Sequence, residues 1–251
     1  MESTLFGLTG IQFLFLALYG LFMGFERAGI RTINMPVIPF VISALGPMQA
    51  MGYMLPMVLI SDIFSITYYK RSADWNILKR SFPGAILGII LGAAIGKHLS
   101  VPAFKCIVGV IIIISLCFIL YNDLKKKHIE NPKATLILGL SFAFFTGLAS
   151  MLGASGGPVI LTFLLLLNLP KDKLIGTSSY FFFMVNICKL PMYFFVWHNI
   201  SMTSFLADLT LIPVLALGIF LGLLIVKHFT TKFYRIFIII ISFLSAVRLF
   251  F

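Results

Sequence analysis

The sequence predicts an all-α integral membrane protein, and three observations carry that reading. Of its 251 residues 60% are hydrophobic and 11% charged, apolar runs of spanning length recur along the chain, and its two halves resemble each other. A soluble domain has roughly 45–50% apolar and about 25% charged residues. Runs such as Pro83–Ile95, Ile107–Tyr121, Leu209–Val226 and Phe233–Phe251 approach or reach the ~20 residues that carry a helix across ~30 Å of hydrocarbon. The net charge of +11 falls between these runs, so it reads as topology rather than as a nucleic-acid surface.

Taken in order, the apolar runs form about ten segments: 5–24, 33–46, 49–69, 82–97, 103–121, 135–152, 158–169, 174–197, 206–227 and 232–251. The first lacks the basic lead and the small-residue cleavage pattern of a secretory signal and reads as a span. The second and seventh are short, broken helices. A basic linker over 122–134, NDLKKKHIENPK and the following alanine, separates an N-terminal repeat (1–121) from a C-terminal repeat (135–251). Cys106, Cys117 and Cys188 all lie in apolar segments, where a thiol packs as a small hydrophobe. Neither a disulfide nor a metal site is expected, and no cofactor.

The duplication rests on several matches in the same order. Gly88, Gly92, Lys97 and His98 return as Gly218, Gly222, Lys227 and His228; MPVI at Met35–Ile38 parallels GPVI at Gly157–Ile160; Asp62 falls opposite Asn186 when Leu45 is aligned with Leu169. If all ten segments cross, fifteen basic residues lie on one side and three on the other, with Lys189 inside a span. The positive-inside rule favours that arrangement. Five crossings per half is odd, so the repeats are inverted, with both termini outside and the linker in the cytoplasm. Inverted repeats are a common architecture of secondary transporters, which hold the substrate near the midplane at interrupted helices.

Each half has a polar, glycine-containing break before a short helix with a nearby proline: FERAGIRTINMP at Phe25–Pro36 and GASGGP at Gly153–Pro158. The free backbone donors and the dipole at such helix starts suit an anion. Candidate substrate contacts are therefore Arg31, Thr32 and Asn34 in the first break and Ser155, Gly156 and Gly157 in the second; tight loops between spans would look the same. Segments three and eight, which are repeat equivalents, place Asp62 in one apolar run and Thr177, Ser178, Asn186 and Lys189 in the other. An ionisable group at membrane depth costs about 2.5–3.5 kcal/mol even on a lenient scale and therefore faces a cavity or a partner. Lys189 is the candidate counter-charge for an anion. Asp62 is the candidate proton acceptor or ion-pair partner, and a purely structural pair is the plainer alternative. Gly84, Gly88, Gly92 and Gly96 repeat every four residues, as do Gly218 and Gly222, which predicts close helix packing.

At PMVLISDIFSITYYKRSADW (Pro56–Trp75), GGPVI (Gly156–Ile160) and KLIGTSSYFFFMVNICKLP (Lys173–Pro191) the chain resembles the TauE/SafE sulfite exporter permeases, small bacterial membrane transporters, over essentially its whole length. The resemblance implies a multi-pass protein of the bacterial inner membrane that carries sulfite, sulfonates or related small anions. As partners the reading takes a small anion and membrane lipid, leaves room for a coupling proton or sodium ion and for a homo-oligomer, and expects no nucleic acid. Two other classes compete. GASGG at Gly153–Gly157 matches a serine hydrolase motif and resembles rhomboid intramembrane proteases, but no histidine lies within an apolar span after Ser155 to serve as its base. A non-transporting membrane assembly protein would give no reason for a duplicated polar break.

Overall fold

The computed structural model describes residues 6–34, 36–95, 132–153 and 156–248, with residues 110, 113–114, 116–117 and 121 between them. In chain order the helices with defined bounds are α1 (Gly10–Arg27), α2 (Ile38–Leu45), α3 (Pro47–Tyr68), α4 (Trp75–Ile95), α5 (Pro132–Gly153), α6 (Gly157–Leu166), α7 (Lys171–Pro191), α8 (Met202–Thr210), α9 (Ile212–Val226) and α10 (Thr231–Arg248). A single π turn, Met192–Val196, continues α7. Among the described residues all regular structure is helical. By length and composition α3 from Gln49 onward, α4, and α7 with its π turn can each cross a membrane, and α8 with α9, bent by 50°, makes a fourth span if the pair is taken as one.

The chain divides into two compact units, Met1–Tyr68 with Asn186–Phe229, and Tyr69–Val185 with Thr230–Phe251. Each unit draws helices from both halves of the sequence, and the boundary between units falls inside α7.

In the first unit α1 begins at a reciprocal cap. The Thr9 hydroxyl accepts from the Gln12 N–H, and the Gln12 side chain accepts from the Thr9 N–H at 2.9 Å, which satisfies two of the donors a helix start leaves open. α2 has eight residues and Pro39 in its first turn; at 1.5 Å per residue it is about 12 Å long, well short of a bilayer. Gly46, at φ +79°, stops it in a conformation that costs glycine nothing. α1 lies against α9 at glycines: a Cβ on Gly24 would collide with the backbone of Leu215–Ile219, and one on Gly218 with the Leu21 carbonyl. α8 starts at a second capping box, Ser201 with Ser204, and Pro213 sits in the first turn of α9.

The second unit repeats that packing with other helices. A Cβ on Gly84 would meet the Leu140 carbonyl, one on Gly88 the Phe144 carbonyl, and one on Gly147 the Ala85 carbonyl, so α4 and α5 touch backbone to backbone, as small residues allow. The expected glycine stripe is thus observed at Gly84, Gly88 and Gly92; Gly96 lies outside the described residues. α6 is ten residues long and buried from Pro158 to Leu166, and it packs against α5 and α10.

Two boundaries differ from expectation for physical reasons. α4 begins at Trp75 rather than near residue 82, because the Asp74 carboxylate accepts from the N–H groups of Asn76 and Ile77 at 3.1 and 3.3 Å and caps a polar first turn that an apolar-run criterion passes over. The ninth segment begins earlier, at Met202, and is broken at Leu211, where the proline that follows favours a new helix start.

Candidate functional site

α1 ends on charge. Its last two residues, Glu26 and Arg27, are buried, and the turn that follows carries Arg31, with no exposed surface at all, and the buried Thr32 and Asn34. Thr32 has φ +66°, a left-handed conformation that is rare and strained for a β-branched residue; its hydroxyl donates to the Arg31 carbonyl at 2.6 Å. The Arg31 N–H donates to the Gly29 carbonyl two residues back at 2.9 Å. This is irregular backbone buried in protein, the setting in which membrane proteins tolerate it.

α3 meets this end with Ser61, Asp62 and Ser65, all fully buried. They recur at three and four residues, so they share one face. The Arg27 Nε lies 2.9 Å from one Asp62 carboxylate oxygen, as an ion pair rather than an aligned hydrogen bond. The same nitrogen donates to the Ser61 hydroxyl at 3.3 Å, and the Ser65 hydroxyl donates to the Arg27 carbonyl at 3.0 Å. Asn186 completes Asp62: its amide donates to the second carboxylate oxygen at 2.7 Å. Glu26 lies 3.7 Å from the Arg27 guanidinium. Lys189, one turn past Asn186, is buried with its ammonium 5.4 Å from the centre of the Tyr193 ring, a cation–π distance, and it acts electrostatically on Asp62.

The first unit therefore gathers Arg31, Asn34, Asp62, Asn186 and Lys189 of the predicted set. It adds Glu26 and Arg27, which the sequence placed in the first polar break, Phe25–Pro36, without a role. Asp62 takes Arg27 as its direct ion-pair partner. Thr177 and Ser178 lie in the second unit with hydroxyls already engaged: Thr177 accepts from the Asp74 N–H at 2.9 Å, and Ser178 donates to the Ile175 carbonyl at 2.9 Å. Gly156 is the N-cap of α6 with no side-chain cap, and a Cβ there would lie 2.6 Å from the Thr146 carbonyl, so only glycine fits without a shift. Gly157 opens that helix. Ser155 lies outside the described residues.

These features define a polytopic membrane protein with an ionic centre buried in one of its compact units. The family model described as "Sulfite exporter TauE/SafE" matches residues 8–249, nearly the whole chain, and the chain belongs to that family of membrane transporters. No curated protein and no solved structure matches it.

Proposed function

We propose that the chain is a secondary transporter of small anions, sulfite, sulfonates or related organic anions, working by alternating access. One observation carries the reading. Glu26, Arg27, Arg31, Asp62 and Lys189 are all buried and linked to one another electrostatically, and in their usual states they comprise three cations and two carboxylates; Asp208, buried in the same unit, is not among the groups that act on them. A centre with one surplus positive charge, shielded from water, is made neutral by one monovalent anion, and the low dielectric strengthens that attraction. Asn34 and Asn186 supply amide donors, and Lys189 is the charge the anion meets. Thr177 and Ser178 are assigned to packing in this reading, because their hydroxyls serve the second unit.

Ten segments in two inverted five-segment repeats, with both termini outside the cell membrane and 122–134 in the cytoplasm, complete the proposal. Support comes from the equivalent glycine packing in the two units: α4 on α5 and α9 on α1 are the same pair of segments under exchange of the halves. No observation favours a hydrolase built on Ser155 or an assembly factor.

A thermal-stability screen of purified protein against sulfite, sulfate, thiosulfate, sulfoacetate and short carboxylates tests the substrate class. A ligand present at 100 times its Kd stabilises by about 2.7 kcal/mol. A shift with sulfite or a sulfonate, and none with an amine of equal size, is expected; no shift with any anion overturns the reading.

A further inference from the structure

We propose that Asp208 is a proton-binding carboxyl of the carrier, so that an anion moves together with a proton that Asp208 takes up and releases; this rests on the anion-carrier reading above. Asp208 lies in the last turn of α8, is 1% exposed, and no described side chain hydrogen-bonds to its carboxyl, which the backbone of Met57 alone approaches. No described cation pairs with it. Asp62 is equally buried but is met by Arg27 and Asn186, and the third buried carboxyl of this unit, Glu26, lies 3.7 Å from Arg27, so Asp208 alone of the three has no cation beside it.

The groups around Asp208 explain what it can hold. Tyr19 of α1 and Tyr53 of α3 are the titratable side chains that face it; α9 offers none, and the backbone of Met57 faces it from α3. The rest is the apolar cluster that contains Met54, Met57, Ala207, Leu211 and Leu215. An ionised carboxylate is prohibitively costly in such surroundings, and the group takes a proton instead. A metal ion needs several oxygen ligands at fixed distances, and among the described residues no cluster of three ionisable ligands exists. A proton needs only the one carboxyl.

The surrounding elements can also change. Asp208 stands three residues before the 50° break between α8 and α9, and the N–H of Leu211 at that break donates to the Asp208 carbonyl at 3.0 Å. Across from it α3 carries Pro56 inside the helix, where one backbone hydrogen bond is missing. Broken helices are the parts of transporters that rearrange around bound substrate and coupling ions. Admission of water at this break ionises Asp208 and sends its proton to that side; closure requires the carboxyl to be protonated again.

The test uses wild type and Asp208→Asn in proteoliposomes containing a trapped pH dye, with isethionate as the probe because a sulfonate carries no proton of its own, together with infrared spectra of the purified proteins. Wild type should show the carbonyl stretch of a buried carboxylic acid, which Asp208→Asn removes and Asp62→Asn leaves in place. Proton movement with isethionate should fall about tenfold or more in Asp208→Asn while isethionate counterflow stays within about threefold, as expected when an intramembrane carboxyl serves coupling rather than binding. If Asp208→Asn does not fold, the wild-type spectrum with labelled aspartate and the proton-to-anion ratio of Asp208→Glu decide. A missing acid band, or proton movement that survives in Asp208→Asn, overturns the assignment. Sodium-dependent uptake without proton movement overturns it too. Absence of isethionate and sulfite counterflow in wild type sinks the carrier reading and the coupling role with it, and the acid band then shows only that Asp208 is protonated.

Discussion

Arg27, the last residue of α1, holds Asp62 of α3 at 2.9 Å through its Nε, and the surrounding serines tie the same two helices together. Breaking a buried pair from one side leaves a charge without a partner, which typically costs 3–5 kcal/mol. Arg27→Met should therefore destabilise the protein by about 3 kcal/mol or more, and Arg27→Met with Asp62→Asn should recover most of the loss. Thermal unfolding in detergent measures this. A double-mutant cycle between Arg27 and Asp62 should give a larger coupling than one between Lys189 and Asp62; the reverse order would make Lys189 the principal partner.

The glycine contacts give a second expectation. Gly88→Ala and Gly218→Ala each push a Cβ into a neighbouring backbone carbonyl, and overpacking of that kind costs about 1–3 kcal/mol. Gly10→Ala, where nothing lies within 4 Å, should be neutral or slightly stabilising. Melting temperatures of the three variants decide, and equal behaviour of all three would remove the close-packing account.

Thr177→Val should cost stability and not affinity. It removes the acceptor of the part-buried Asp74 N–H, which should cost about 1 kcal/mol, the low end of the penalty for an unsatisfied donor. Anion binding by the folded fraction should match wild type; a tenfold loss of affinity at unchanged stability would return Thr177 to the substrate site.

Topology is open to labelling. Single cysteines introduced at Lys126 and Ser72, in a background lacking Cys106, Cys117 and Cys188, should resist an impermeant maleimide added to intact cells and react after permeabilisation. Labelling of position 126 from outside would contradict the inverted arrangement of 1–121 and 135–251.

Much of the helical framework was legible because apolar runs and their breakers are local signals. The polar start of α4 was not, since an aspartate cap rather than hydrophobicity begins it. The buried centre was legible where charge interrupts an apolar run, at Asp62 and Lys189. It was missed where charge ends one: Glu26 and Arg27 look like a loop unless the neighbouring helix is known to bring Ser61, Asp62 and Ser65 against them. Thr177 was grouped with Asn186 although nine residues are two and a half turns, so the 3.6-residue period already sets them on opposite sides of a helix. Asp208 carried a signal that could have been found. Only eight residues are acidic, and Asp208 and Asp62 are the two that fall inside apolar segments.

The most direct test is uptake of sulfite and of isethionate into proteoliposomes by wild type and Lys189→Met, normalised to folded protein. Removing one partner of a desolvated charge pair typically costs about 2–5 kcal/mol of binding, so Lys189→Met should lower apparent anion affinity by one to several orders of magnitude while the protein remains folded. Uptake by Lys189→Met at wild-type affinity and rate would contradict the claim that the buried positive surplus is what the anion binds.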